Sequence, residues 1–362
     1  MVPDPRPALA HLQGYQALAD ADRAVRALGA PELRAKLDSN EGQFGPLPAA
    51  LEAIERHAPR LNRYPDRALL LAERLSQRHE VDPTAILIGN GADAIVGYLC
   101  AAYLEPGDET VMGWPSFVTY HGDTLRSGAT PVTVPLAGGA YDVEAMVERI
   151  GPRTKLVFIC NPNNPTGGLV SGDRLRRFLD AVPERVLVVI DEAYHEYVLD
   201  ASYPDAIAEH ARDRGNVAVV RTFSKIFGLA GLRVGYMVAS PDVVDAAGRC
   251  RHWFDVNDLA HLAAAASLDD EHEIARRRHE NESGREQLSK LLESAGLHPM
   301  PSQGNFVYAD VPSATALTAG LARSGVLVRS LEAFGATSAI RVTVGSGRDH
   351  EALADALLQA VR

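Results

Sequence analysis

The sequence predicts an α/β fold with a large domain built around a mostly parallel sheet and a smaller α+β domain. Seven short apolar runs lie between residues 85 and 239, and most are continuously apolar, as in strands buried on both faces. Helix-length segments separate several of these runs, which indicates a repeated strand–helix unit. After about residue 240, helical patterns replace this repeat, and the 362 residues are enough for two domains.

The predicted strands of the large domain follow one another in a regular series. They are AILIG (85–89), ETVMG (109–113), TPVTV (130–134), KLVFIC (155–160), RVLVVID (185–191), NVAVVRT (216–222) and RVGYMVA (233–239). The helices predicted between them cover 91–104, 115–127, 142–150 and 171–181. We therefore expect a sheet of seven strands with helices packed against it.

The two ends of the chain have different patterns. Residues 1–40 lack a strong period and are expected to form an arm that packs on the small domain or on a partner subunit. Residues 41–245 form the predicted large domain. Residues 246–362, with a broken or very long helix followed by NFVYADV, GVLVRS and AIRVTVG, form the predicted small domain.

Composition excludes several classes of protein. With 36 basic and 47 acidic residues the formal charge is −11, which argues against a nucleic-acid partner. No apolar run reaches the roughly 18–20 residues that a membrane span needs, and the first residues have no signal-peptide pattern. The three cysteines, Cys100, Cys160 and Cys250, form no disulfide framework. We expect a cytoplasmic protein that binds neither nucleic acid nor membrane.

Two predicted strands end in polar residues suited to holding a ligand. Asp191 closes one strand, and in open α/β sheets ligand groups lie beyond the carboxyl ends of strands. Taken alone, this aspartate could equally cap a turn. Thr222, Ser224 and Lys225 follow the next strand, with Arg233 shortly after. A single lysine is usually solvated, but two hydroxyls, an amine and a guanidinium together favour a phosphate-and-amine site.

Two glycine-containing loops follow other strands. The loop CNPNNPTG (160–167) could be an ordinary turn, yet it brings the amide of Asn164 to a strand end. The loop GNGADA (89–94) starts a predicted helix, where backbone N–H groups can bind phosphate. It also fits a loose dinucleotide-binding fingerprint, which requires an acidic residue about 20 residues later, at the end of the next strand. The acidic residues at that distance, Asp108 and Glu109, stand at the beginning of the next strand instead. A nicotinamide enzyme is therefore a weaker alternative.

Taken together, these motifs resemble the fold type I enzymes that depend on pyridoxal 5'-phosphate (PLP), the aspartate-aminotransferase-like superfamily. More narrowly, the chain resembles the histidinol-phosphate aminotransferase family, including its actinobacterial aromatic-aminotransferase relatives. The resemblance runs from about residue 36 to the end. Its motifs are LDSNEGQFGPLP (37–48), LNRYPD (61–66), CNPNNPTG (160–167), DEAYHEY (191–197), RTFSKIFGLAGLRVGY (221–236) and AIRVTVG (339–345).

The resemblance implies a role for each residue around the cofactor ring. Lys225 would bond covalently to the cofactor aldehyde and later carry a proton between substrate and cofactor carbons. Asp191 would pair with the pyridine nitrogen, and Tyr194 and Asn164 would hydrogen-bond the ring oxygen. Phe117 would stack on the ring. Of these, Lys225, Asp191 and Tyr194 are the predicted catalytic residues.

The resemblance also implies how the cofactor phosphate is bound. The backbone N–H groups of Ala92 and Asp93 would contact it, together with Thr222, Ser224 and Arg233. We therefore expect the large domain to be the PLP-binding domain.

The remaining predicted contacts concern the partner subunit and the substrates, an amino donor and a 2-oxo acid. Tyr64 would reach the phosphate of a neighbouring subunit, so a homodimer is expected. Arg341 would anchor the acid group of the substrate, Arg329 would supply a second guanidinium, and Tyr15 and Asn40 would add further contacts. Neither a His-Glu-x-x-His motif nor a cysteine pair is present, so no metal site is expected.

The substrate is the least specified feature. The resemblance favours transfer of an amino group from histidinol phosphate to 2-oxoglutarate, which gives imidazole acetol phosphate and glutamate. An aromatic amino-acid aminotransferase acting on phenylalanine is the nearest alternative, since Phe254 would suit a phenyl ring and an apolar pocket discriminates weakly. A PLP-dependent decarboxylase of a phosphorylated amino acid is a third possibility.

Overall fold

The structure is a computed structural model that describes residues 6, 8–9, 12, 21–66 and 68–360. In this part of the chain, strands and α-helices alternate between residues 86 and 191, and more residues are helical than extended after residue 240. The strands are β1 (Ala35–Leu37), β2 (Ile86–Gly89), β3 (Glu109–Trp114), β4 (Thr130–Pro135), β5 (Thr154–Cys160), β6 (Leu187–Asp191), β7 (Val217–Thr222), β8 (Gly235–Val238), β9 (His298–Pro299), β10 (Phe306–Asp310), β11 (Val326–Ser330) and β12 (Ala339–Thr343).

The helices predicted at 91–104, 115–127, 142–150 and 171–181 are confirmed to within three residues, whereas the helices before residue 80 were not predicted. The α-helices of both kinds in the described residues are α1 (Ala21–Ala27), α2 (Pro48–His57), α3 (Leu69–His79), α4 (Ala92–Tyr103), α5 (Val118–Arg126), α6 (Val143–Glu148), α7 (Gly172–Ala181), α8 (Pro241–Arg249), α9 (Asp258–Ser267), α10 (Glu271–Ser294), α11 (Ala314–Arg323) and α12 (Gly347–Ala360). The pattern that predicted a broken or very long helix corresponds to α9 and α10. The break lies at Asp270, whose side chain caps α10 by accepting from the Glu273 N–H at 3.1 Å.

The larger sheet contains the seven predicted strands in the order β2-β8-β7-β6-β5-β3-β4. The five strands from β7 to β4 are parallel, whereas β8 runs antiparallel to both β7 and β2. Continuous burial gives the same apolar pattern for either direction, so the sequence could not indicate that β8 is reversed. The sheet is mostly parallel, as predicted.

The central strands form the core of this sheet. Every residue of β6 and β7 is buried, and Val157, Val188 and Val219 are completely inaccessible to solvent. Helices α4, α5 and α6 pack against the strands. This burial on both faces explains why these segments lack the alternation of an exposed strand.

The smaller sheet has the order β1-β11-β12-β10-β9. Strand β1 lies parallel to β11, and the other pairs are antiparallel. Helices α11 and α12 pack against β11, and α10 packs against β10. The segment before residue 41 therefore contributes one strand to the sheet formed by the last part of the chain.

The sheet register determines where the polar strand ends meet. Cys160 of β5 lies opposite Asp191 of β6, and Asp191 lies opposite Val220 of β7. The loops that follow these three parallel strands therefore leave the sheet side by side. Within the described residues, no helix combines the length and apolar character needed to cross a membrane.

Candidate active site

Asp191 lies at the carboxyl end of β6 and is only 4% exposed. Its Oδ2 accepts a hydrogen bond from the Tyr120 hydroxyl at 2.5 Å, and its Oδ1 accepts from the backbone N–H of Ala193 at 3.0 Å. Burial raises the pKa of Asp191 to about 6, against the lowering effect of these two hydrogen bonds. The carboxylate is thus held in place and is suited to pairing with a cationic group of a ligand.

Lys225 lies in the loop after β7, close enough to Asp191 for its charge to lower the pKa of that carboxyl group. Its Nζ donates to the backbone carbonyl of Asn40 at 3.0 Å and is 5.6 Å from the centroid of the Tyr194 ring. Burial, together with the guanidinium of Arg341, lowers the pKa of Lys225 to about 8. About a tenth of this amine is therefore unprotonated at pH 7, far more than for an ordinary lysine, and can act as a nucleophile or base.

Asn40, Tyr194 and Asn164 connect the two sheets at the site. Asn40 has a left-handed backbone conformation with φ of 52°, and its Nδ2 donates to the Tyr194 hydroxyl at 2.9 Å. Arg341 donates to Oδ1 of Asn164. All four side chains are at least nine-tenths buried. Asn40 and Arg341 come from the smaller sheet and its β1 segment, so the site is built where the two sheets meet.

A cradle of hydrogen-bond donors forms where α4 begins next to the loop after β7. The Thr222 hydroxyl donates to Oγ of Ser224 at 2.9 Å, and Arg233 Nη1 donates to the same oxygen at 3.3 Å. Arg233 Nη2 lies 3.5 Å from the carboxylate of Asp93, in the first turn of α4. Hydroxyls, a guanidinium and a helix N-terminus in this arrangement are suited to a phosphate group.

The glycine before α4 is required by this cradle. Gly91 has φ of +88°, and a Cβ there would lie 2.5 Å from Nη2 of Arg233. The positive φ favours glycine, and a side chain there would push the guanidinium away from the helix start that carries the N–H groups of Ala92 and Asp93. The guanidinium of Arg233 therefore lies beside the N–H groups at the start of α4, an arrangement suited to a phosphate.

Phe117 lies immediately before α5, near Asp191. Its ring meets the edge of the Tyr120 ring, with centroids 5.6 Å apart and an angle of 81° between planes. Tyr120 was not among the predicted site residues, although it is completely buried and bonds directly to Asp191. Tyr120 lies in the first turn of α5, and its apolar helical position gave no signal specific to the site.

Arg329 and Arg341 are brought together by the smaller sheet. They are opposite partners in the antiparallel pair of β11 and β12, so their side chains share one face of the sheet. Arg341 Nη2 and Arg329 Nε donate to the same backbone carbonyl, that of Asp38, at 2.8 and 3.0 Å. Asp38 was not among the predicted site residues. Two guanidinium groups this close favour an anion as their ligand.

Tyr64 and Tyr15 are the remaining predicted site residues. The Tyr64 side chain is 80% exposed and stacks on Phe254 with ring centroids 4.5 Å apart. Tyr15, predicted to contact the substrate, lies outside the described residues.

Glu192 and Arg221, the neighbours of Asp191 and Thr222, form a second buried group. Arg221 Nη2 contacts Oε2 of Glu192 at 2.7 Å and Oδ1 of Asp205 at 3.0 Å. Successive residues of a strand point to opposite faces, so this ion pair lies on the other side of the sheet from Asp191 and Thr222. It ties together the ends of β6 and β7, which position the site.

Comparison with known proteins agrees with this geometry. Residues 35–358 match the model of the family described as aminotransferase class I and II. The chain is 40% identical to the histidinol-phosphate aminotransferase of Moorella thermoacetica, over 98% of this chain and 92% of that one. It is 43% identical to the aromatic amino acid aminotransferase of Thermobifida fusca, over 88% of each chain.

A solved structure shows the same fold with a cofactor. The histidinol-phosphate aminotransferase of Sinorhizobium meliloti, in complex with pyridoxal-5'-phosphate, superposes with a TM-score of 0.89. It is 28% identical and covers 98% of this chain and 97% of that one. These findings confirm the predicted family and fold. The chain therefore belongs to the class I and II aminotransferases, is an enzyme that transfers amino groups, and uses pyridoxal 5'-phosphate as its cofactor.

Proposed function

We propose that the enzyme transfers the amino group of histidinol phosphate to 2-oxoglutarate. The observation that carries this proposal is the pair Arg329 and Arg341, which share one face of the smaller sheet and converge on the carbonyl of Asp38. The nearby Lys225 amine is influenced by the charge of Arg341. Two guanidinium groups beside a reactive amine suit a donor that carries a phosphate or a carboxylate. Relatives named histidinol-phosphate aminotransferase support this donor.

The residues of the site divide into those that hold PLP and those that assist the reaction. When bound, PLP supplies an electron sink for charge that develops at the substrate carbon. Asp191 would keep the ring nitrogen protonated, and Tyr194 and Asn164 would hydrogen-bond the ring oxygen. Phe117 would pack on the ring. Lys225, partly unprotonated because it is buried, would hold the cofactor covalently and move the proton at the reacting carbon.

The cradle at the start of α4 would bind the cofactor phosphate. The N–H groups of Ala92 and Asp93, the hydroxyls of Thr222 and Ser224, and Arg233 are the donors it offers. Asn40 would position the site, because it contacts both Lys225 and Tyr194. Tyr15 is also proposed as a substrate contact, on the family resemblance alone.

An aromatic amino acid is the second candidate donor. The relative from Thermobifida fusca carries that name and is 43% identical to this chain. The site also holds the carboxylate of Asp38, whose Oδ2 accepts from Nη2 of Arg329 at 3.3 Å. This contact partly neutralises the guanidinium charge that would otherwise be available to a phosphate. This contact favours donors with a single negative charge.

We further propose a cytoplasmic homodimer in which Tyr64 contacts the phosphate bound by the partner. Tyr64, Trp253 and Phe254 are respectively 80%, 90% and 57% exposed, which is unusual for large aromatic side chains. A partner subunit would cover them.

We also propose the division of the chain into an arm (1–40), a large domain (41–245) and a small domain (246–362).

A half-reaction screen tests the proposed function. The PLP-loaded enzyme is mixed with histidinol phosphate, phenylalanine, tyrosine or threonine phosphate, and loss of the visible absorbance of the lysine-bound cofactor is followed. We expect rapid loss with histidinol phosphate and recovery on adding 2-oxoglutarate. Loss with phenylalanine alone would favour the aromatic donor. Release of carbon dioxide from threonine phosphate would instead indicate a decarboxylase, and no response to any donor would contradict the proposal.

A further inference from the structure

Asp38 is a buried carboxylate in contact with both arginines of the proposed substrate-acid site. It follows β1 and is only 2% exposed. Its backbone carbonyl accepts from Arg341 and Arg329, and its Oδ2 accepts from Nη2 of Arg329 at 3.3 Å. A carboxylate this buried and this close to Arg329 partly offsets the positive potential of that guanidinium, and the Asp38 backbone carbonyl holds both arginines in position.

The charges around Asp38 are nearly balanced. Lys36 Nζ lies 3.1 Å from Oδ1 of Asp38 and also pairs with Glu41. Lys36 and Glu41 neutralise each other, so the two guanidinium groups of Arg329 and Arg341 together with the Asp38 carboxylate leave one positive charge in excess. One excess charge matches one carboxylate. A phosphate monoester carries about 1.5 to 2 negative charges at neutral pH, which is more than this cluster compensates.

We propose that Asp38 determines the selectivity between phosphate-bearing and carboxylate-bearing amino donors, a proposal that rests on the proposed function. Its carboxylate engages the Arg329 guanidinium that would otherwise face the ligand, and so reduces the positive charge available to the second negative charge of a phosphate. Asp38 therefore weakens the preference for histidinol phosphate and lets a carboxylate donor such as phenylalanine compete. It acts through Arg329 and is a positioning residue.

The substitution Asp38→Asn tests this role with little change of shape, because the amide oxygen can still accept from Arg329. We measure kcat/KM for histidinol phosphate and for phenylalanine and compare their ratio with that of the wild type. Removing one nearby negative charge should raise the ratio by about tenfold. The change should appear in KM for histidinol phosphate more than in kcat, since the charge acts on binding of the acid group.

Two controls separate this role from a general effect of charge or folding. Glu41→Gln removes the same charge from a side chain that pairs with Lys36 and contacts neither arginine, so the ratio should change by less than about twofold. In an Arg329→Gln background, Asp38→Asn should no longer change the ratio, because Asp38 acts through that arginine.

The outcomes distinguish this proposal from the proposed function. If the wild type reacts with neither donor, the proposed function is wrong. If it reacts, and Asp38→Asn leaves the ratio unchanged or lowers both kcat/KM values equally, Asp38 has only a structural role and the inference is overturned. An Asp38→Ala enzyme provides the same test should the asparagine variant fail to fold, with retention of the visible cofactor band as the check of folding.

Discussion

The hydroxyl of Tyr120 donates a 2.5 Å hydrogen bond to Oδ2 of Asp191, the carboxylate proposed to meet the cofactor ring nitrogen. Both groups are buried, and the backbone N–H of Ala193 holds the other carboxylate oxygen. Burial alone would favour the neutral acid, whereas these hydrogen bonds favour the charged form. Tyr120 therefore helps to keep Asp191 ionised and correctly oriented in an environment that opposes its charge.

The substitution Tyr120→Phe should weaken cofactor binding. It removes the hydrogen bond but keeps the ring that packs on Phe158 and Phe117, and the pKa of Asp191 should rise above about 6. A hydrogen bond to a charged group is worth about 1.5–3 kcal/mol, and only the part that strengthens when PLP binds affects affinity, so the dissociation constant for PLP should rise several-fold, to about tenfold. Titration of the apoprotein with PLP, followed by absorbance, measures this constant.

A matched control is available in Tyr141. It is equally buried, but its hydroxyl bonds to Ser116 at 2.7 Å and does not contact Asp191. Tyr141→Phe should therefore lose a comparable amount of stability without a comparable loss of PLP affinity. Equal effects of the two substitutions on PLP binding would show that the Tyr120 hydroxyl acts only through stability.

The amine of Lys225 should react with PLP at a lower pH than an ordinary lysine does. Only the neutral amine attacks an aldehyde, and the pKa of Lys225 is lowered from 10.5 to about 8. The rate at which apoprotein forms a borohydride-reducible link to PLP should therefore rise with pH to a midpoint near 8. Lys225→Ala should form no such link and should lose the overall reaction.

Arg341→Gln is the control for the cause of this shift. The Arg341 charge is the second contribution that lowers the pKa of Lys225, after burial. Its removal should move the midpoint to higher pH. A wild-type midpoint near 10.5 would mean that solvent reaches the amine freely and would contradict the buried site.

The sequence allowed prediction of those site residues that follow the ends of strands. Asp191, Asn164 and Lys225 follow three consecutive runs, and parallel strands necessarily bring their carboxyl ends to one edge of the sheet. The side chains meet because these three strands are also neighbours in the sheet, an order that only the structure shows. The same argument could not give the direction of β8, because a buried strand has the same pattern in either direction.

Contacts between distant segments of the chain could not be predicted from the sequence. Asp38 and Arg329 are 291 residues apart and meet because β1 pairs with β11, a contact that no local pattern indicates. Tyr120 has a helical spacing typical of any core residue, and only the structure shows that its hydroxyl points to Asp191. Residues of this kind support the site through tertiary packing, which propensity and periodicity do not encode.

Gly91→Ala should damage the phosphate cradle. A Cβ at this position would lie 2.5 Å from Nη2 of Arg233, so the guanidinium or the start of α4 has to move. We expect the dissociation constant for PLP to rise by about tenfold or more, because the donors no longer converge. Equilibrium titration of the apoprotein with PLP measures the effect.

Gly107→Ala separates this effect from backbone strain. Gly107 has a similar positive φ of +101°, but a Cβ there would meet nothing within 4 Å. Both substitutions should lower the free energy of unfolding by about 1–2 kcal/mol, whereas only Gly91→Ala should weaken PLP binding. If both variants bound PLP as the wild type does, the cradle would not be the phosphate site.

Mixing two inactive variants tests whether Tyr64 serves the partner's site. A Tyr64→Phe subunit keeps Lys225, and a Lys225→Ala subunit keeps Tyr64. If Tyr64 acts across the interface, a mixed dimer of one Tyr64→Phe subunit and one Lys225→Ala subunit has one complete site. If Tyr64 acts within its own chain, the mixed dimer has no complete site. Equimolar co-refolding at limiting PLP should then restore about a quarter of wild-type activity, since half of the dimers are mixed and each has one site in two. Activity no higher than the mean of the two separate variants would contradict a role of Tyr64 in the partner's site. Tyr64 would then serve only its own chain, where its exposed ring stacks on Phe254.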